Sequence, residues 1–123
     1  MTVIMNKLIQ KLNNKKENLL TIYFTAGYPE LNDTGTIIKE LEAAGADIIE
    51  VGMPFSDPVA DGPTIQASSL KALQNGMSIK VLLQQLKAIK GEVNIPILLM
   101  GYINPIWKYG VEKFMADCEE AGV

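Results

Sequence analysis

Short apolar runs alternate along this chain with segments of helical periodicity. Ile4, Leu8, Ile9 and Leu12 recur at three- and four-residue spacing, which predicts a short opening helix with one apolar face. Leu19 to Ala26 is rich in β-branched and aromatic residues and runs into Gly27-Tyr28-Pro29, a turn signal, so it predicts a first strand. Asn32 or Asp33 is placed to cap a helix striped by Ile37, Ile38, Leu41 and Ala44, with Gly45 at its stop. Ile48 to Met53 predicts a second strand. A loop from Pro54 to Pro63 follows, then a helix from about Thr64 to Gln74, ended by Gly76. Ser78 can cap the next helix, which sets Ile79, Leu82, Leu83, Leu86 and Ile89 on one face, with Gly91 behind it. Ile95 to Tyr102 predicts a third strand. A last helix, Val111 to Ala121, is expected to bury Phe114, Met115 and Cys118.

Strands alternating with helices imply βαβ units and a parallel sheet. The second and third strands are nearly continuous apolar runs, as expected where both faces of a sheet are covered. The sequence stops at Ala121-Gly122-Val123, where a helix should give way to a fourth strand. A truncation inside a larger α/β fold is therefore the expectation.

Composition narrows the chemistry. The 123 residues leave room for one domain, and 48% apolar with 20% charged residues is a globular mixture. A net charge of −3 gives no basic footprint for nucleic acid and nothing to attract anionic lipid. There is no His, and all 11 basic residues are Lys. A His-based triad, a His metal site and an Arg clamp on phosphate are excluded within this chain. Proton transfer at neutral pH falls to Glu, Asp, Lys, Tyr or the single Cys118. One Cys forms no intrachain disulfide, which fits a reducing compartment. Lys7, Lys11, Lys15 and Lys16 interrupt the first apolar residues, so no signal-peptide core is present. Ile95 to Ile103 is the longest apolar stretch, far below the ~20 residues of a membrane helix. A soluble cytoplasmic protein is the expectation.

Three places hold candidate chemistry. Glu50 lies near the end of an otherwise apolar strand and shares a face with Ile48 and Gly52, opposite Asp47, Ile49 and Val51. If that face lines a cavity, burial raises the carboxyl pKa and suits a group that both gives and takes a proton. The other reading is a strand-end Glu that reaches water or pairs with a Lys. In the loop Pro54-Phe55-Ser56-Asp57-Pro58-Val59-Ala60-Asp61-Gly62-Pro63, Asp57 and Asp61 are the ionisable groups. Asp61 is either a functional carboxylate or a cap for the helix beginning near Pro63. Asp57-Pro58 also reads as a turn opener. The loop lacks the alternating acids and final Glu of a calcium loop. Tyr102 closes the third strand and either walls a pocket for a flat ring or packs at the rim. Cys118, Met53 and Met100 read as packing residues. No glycine-rich phosphate cradle is visible.

Taken together, the segments Tyr23-Phe24-Thr25-Ala26-Gly27-Tyr28-Pro29 and Ala43-Ala44-Gly45-Ala46-Asp47-Ile48-Ile49-Glu50-Val51-Gly52 resemble the tryptophan synthase alpha chain family. The most specific element is the loop just quoted, extended through Thr64-Ile65-Gln66, and Leu99-Met100-Gly101-Tyr102-Ile103-Asn104-Pro105 completes the match. The resemblance covers nearly the whole chain but about the first half of the family's length. It implies a partial (β/α)8 barrel: residues 1–123 as the N-terminal portion of one barrel domain, three β/α units behind an N-terminal helix, ending before strand 4. A full barrel takes ~250 residues.

The resemblance implies a lyase that splits indole-3-glycerol phosphate into indole and glyceraldehyde 3-phosphate, with no cofactor and no metal in this chain. By position Glu50 resembles the general acid/base, and Asp61 the carboxylate that binds the indole N–H. Tyr23, Met100 and Tyr102 match pocket-wall positions, where Leu or another apolar residue is common in place of Met100, and Thr25 supports the same rim. A partner is implied too, a beta chain carrying pyridoxal phosphate, in an alpha2-beta2 assembly. Pro54, Asp57 and Asn104 match contacts with it. The family's phosphate site lies after the last two barrel strands, beyond the matched half. A non-catalytic piece that docks on a beta chain is the alternative from another class.

Overall fold

Alternating short strands and amphipathic helices fold here into a parallel sheet with helices against one face. The computed structural model describes residues 6–123. Ile4 of the predicted opening stripe lies outside them. The elements run α1 (Lys7–Asn14), β1 (Thr21–Thr25), α2 (Asp33–Ala43), β2 (Ile48–Gly52), α3 (Pro63–Gln74), α4 (Ile79–Ile89), β3 (Ile97–Met100), α5 (Ile103–Tyr109) and α6 (Val111–Ala121). The sheet order is β1-β2-β3, all parallel.

The register sorts the residues into two faces. Tyr23 pairs with Glu50 and Thr25 with Gly52, while Glu50 pairs with Leu98 and Gly52 with Met100. Alternation along each strand therefore puts Tyr23, Thr25, Glu50, Gly52, Leu98 and Met100 on one side. Ile22, Phe24, Ile49, Val51, Ile97 and Leu99 take the other and join the helix-covered core. That core is closed by Ile38 from α2, by Leu82, Leu83, Leu86 and Ile89 from α4, and by Phe114 and Cys118 from α6. Each fully buried Ile or Leu contributes roughly 1.5–3 kcal/mol through burial.

Local signals set the helix ends. The Ser78 hydroxyl accepts from the Val81 N–H and caps α4. Gly45, Gly76 and Gly122 close α2, α3 and α6 with φ of 97°, 101° and 85°, a region costly for residues with a Cβ. At the far end of the sheet, α1 buries none of its residues. Leu8 is half-buried and Ile9 and Leu12 are exposed, so its apolar stripe is only partly covered. A polar staple holds this helix instead. The Asp47 carboxylate, 5% exposed, accepts from the Leu20 N–H at 2.8 Å and from Lys15 Nζ at 2.9 Å, with Lys11 at 3.9 Å. Lys7 Nζ donates to the Val93 carbonyl at 3.2 Å.

Four local expectations change. The strands are shorter than the apolar runs that predict them. Ala44 is exposed at the C-cap of α2. Met115 is 63% exposed, because Phe114, Cys118 and Ala121 already form the inner stripe of α6 and Met115 lies about 100° around the helix from Phe114. Residues 103–109 form a helix that the sequence reading left out. Pro105 falls in its first turn, where the missing N–H would have no intrahelical partner anyway.

Candidate active site

At the C-terminal end of the three strands lies a cavity of about 480 Å³. Its lining includes Tyr23 from β1, Glu50 from β2, Met53, Phe55, Ala60 and Asp61 from the following loop, and Met100 and Tyr102 from the end of β3. Volumes of about 300–1,000 Å³, mostly apolar with a few polar groups, are typical of small-molecule sites. The side chains converge because parallel strands end at the same level and every second residue faces the same way.

Glu50 is half-buried and opens on this cavity, not sealed in a dry interior. Opposite it, the loop delivers Asp61. This residue does not cap α3: Gly62 stands at the N-cap, Pro63 at the first helical position, and no side chain caps the helix. The Asp61 carboxylate instead accepts from the Tyr102 hydroxyl at 3.2 Å. The same hydroxyl accepts from the Ala60 N–H at 2.9 Å. Gln66 closes the loop from the other side, its Nε2 donating to the Asp61 carbonyl at 2.7 Å and to the Pro58 carbonyl at 3.5 Å.

The walls are aromatic. Phe55 and Tyr102 lie with ring centroids 5.2 Å apart and planes tilted by 31°. Tyr23 forms the facing side. Burial lifts its phenol above the ordinary tyrosine pKa; a hydrogen bond with Thr25 opposes this, and the negative charges of Asp61 and Glu50 reinforce it. Met100 is 56% exposed at the cavity mouth. Thr25 is 5% exposed and outside the cavity lining; its hydroxyl, 2.8 Å from that of Ser68, ties β1 to α3.

The other predicted residues lie outside the cavity lining. Asp57 and Asn104 are exposed and Pro54 is half-buried, all in segments that follow the C-terminal ends of β2 and β3. The sequence reading missed Phe55, Ala60, Ile65, Ser69 and Gly101 as lining residues, and Met53, read as packing, lines the cavity too. Phe55 stood inside the quoted loop, so its position was available; nothing marked a Ser in the middle of α3.

Comparison with known proteins settles the family. The family model described as tryptophan synthase alpha chain matches residues 9–123. The chain belongs to the tryptophan synthase alpha chain family. The Parabacteroides distasonis tryptophan synthase alpha chain is 56% identical over 119 residues, 97% of this chain and 46% of that protein. Its counterpart in Flavobacterium psychrophilum is 58% identical over 97% of this chain and 47% of that protein. Among solved structures, the tryptophan synthase alpha subunit of Legionella pneumophila superposes with a TM-score of 0.91 at 35% identity, over 98% of this chain and 47% of that one. The chain thus spans about half the length of the relatives it matches, and the fold is part of their α/β barrel. Among the described residues no cluster of three or more His, Cys, Asp or Glu could hold a metal ion. No described helix is long and apolar enough to cross a membrane.

Proposed function

We propose that this chain carries the proton-transfer half of a tryptophan synthase alpha-type lyase, acting on indole-3-glycerol phosphate. One observation carries the reading: Glu50, Asp61, Tyr23 and Tyr102 line one cavity at the end of the strands where barrel enzymes do their chemistry. Glu50 gives its proton to the ring carbon that bears the glycerol chain. Positive charge then builds on the ring nitrogen, and the Asp61 carboxylate accepts the ring N–H and stabilises it. The Glu50 carboxylate next takes the proton of the neighbouring hydroxyl. The carbon–carbon bond breaks, its electron pair returns to the ring, and indole and an aldehyde leave. The proton count closes without a cofactor.

The matched half does not include the end of the barrel where the family's phosphate site lies. Binding energy from a remote phosphate helps hold the reacting bond in place. The test therefore grafts this chain in place of the matched half of the Parabacteroides distasonis relative. The expected result is indole release from indole-3-glycerol phosphate at a rate comparable to the parent. A folded graft with no indole release, beside an active parent, sinks the reading.

The same reading includes a beta chain as partner, with pyridoxal phosphate held by that chain. It is supported by the exposure of Asp57 and Asn104, which lie in the segments that follow β2 and β3. Asp57→Ala and Asn104→Ala in the graft should weaken binding to the relative's beta chain in sedimentation while leaving the fold unchanged. Unaltered binding would contradict this docking face.

A further inference from the structure

We propose that Gly52 is a specificity-determining position of the cavity: by having no side chain it leaves the niche in which the phenol end of Tyr23 lies, and so holds that ring as a wall for a flat aromatic ligand of indole's size. The identity of the ligand rests on the lyase reading; the niche does not.

A Cβ built on Gly52 would stand 2.2 Å from the Tyr23 hydroxyl oxygen, 2.7 Å from Cζ and 2.9 Å from Cε2. Non-bonded carbon atoms pack at about 3.5–4.0 Å, so any other residue moves the ring. The backbone gives no competing reason for glycine here. Gly27, Gly45, Gly76, Gly110 and Gly122 have positive φ, and Gly52 is not among them. A Gly inside a strand weakens the strand and often marks close approach of another group. Here the approaching group is the Tyr23 ring, brought to the same face by the pairing of Tyr23 with Glu50 and of Thr25 with Gly52.

The conflict created by a side chain at position 52 is relieved by turning Tyr23, which is half-buried beside an open cavity. The sheet itself need not shift. The wall then leaves the neighbourhood of Asp61 and Glu50, and the fold survives.

The test is a double-substitution cycle of Gly52→Ala and Tyr23→Ala in the graft on the Parabacteroides distasonis relative, with indole as the probe. Titration of the tyrosine ring carbons by NMR follows the Tyr23 phenol, assigned by its loss in Tyr23→Ala. Gly52→Ala should bring that phenol back toward an ordinary tyrosine and weaken indole binding about tenfold. In the Tyr23→Ala background the same change should alter indole affinity by less than about twofold. An unmoved Tyr23 signal with unchanged indole affinity, or an equal loss in both backgrounds, overturns the assignment. If Gly52→Ala does not fold, recovery of folding in the double variant supports the niche and continued failure overturns it. An unsubstituted graft that folds but binds no indole sinks the lyase reading and the ligand named here, whereas normal indole binding with an unmoved Tyr23 signal sinks the Gly52 assignment alone.

Discussion

The Tyr102 hydroxyl stands between Asp61 and the backbone of the loop that carries it, donating to the carboxylate at 3.2 Å and accepting from the Ala60 N–H at 2.9 Å. One phenol thus fixes both the carboxylate and its loop. Tyr102→Phe keeps the ring that stacks on Phe55 and removes only this link. In the grafted enzyme, kcat for indole release should fall roughly tenfold with KM changed little, because a hydrogen bond to a charged group is lost while the wall remains. A rise in KM at constant kcat would mean that Tyr102 acts as a wall alone.

Gln66 holds the same loop from α3 through its contacts with the Asp61 and Pro58 carbonyls. Gln66→Leu leaves the helix intact but frees the Asp61 carbonyl, while the Pro58 carbonyl keeps the Asp61 N–H at 3.1 Å. The residues between Pro54 and Pro63 should then become measurably faster to cut by protease, and indole affinity should drop about threefold to tenfold, the scale of one lost hydrogen bond. Wild-type cleavage kinetics would contradict this role.

Asp47 governs the acid side of stability. The Leu20 N–H, then Lys15, hold its carboxyl below the ordinary aspartate value. A lowered folded pKa contributes stability that is fully present above the unfolded value, about pH 4, and is lost as pH falls through the folded value. Asp47→Asn should therefore lower the thermal midpoint at neutral pH, and its gap from wild type should close under acid. A gap that stays constant from neutral pH into strong acid would contradict the staple.

The order of elements was legible because apolar periodicity changes between helix and strand at glycine and proline signals. Ser78 and Gly45 could be assigned from local chemistry alone, and Glu50 could be placed on a face with Gly52 by alternation. What stayed hidden was tertiary. Asp61 followed by Gly62 and Pro63 reads equally as a cap, and the choice depends on Tyr102, 41 residues away. The α5 helix was missed because Pro105 reads as a breaker until its place in the first turn is known. Met115 was assigned inward because the adjacent apolar pair Phe114-Met115 does not say which edge of the stripe a neighbouring element covers.

Within the described residues both outer strands, β1 and β3, leave one edge of the sheet unpaired. Apolar edges with free N–H and C=O groups template further strand pairing. Expressed as these 123 residues, the chain should associate with rising concentration in sedimentation velocity and bind hydrophobic dyes. A monomer that unfolds sharply and reversibly would contradict this.

The most direct test of the whole account is Glu50→Gln in the graft on the Parabacteroides distasonis relative, assayed for indole release and, separately, for indole binding. The account predicts a loss of about 10²–10⁴-fold in turnover with indole binding kept, since only the proton carrier is removed. Turnover at the unsubstituted rate would contradict it.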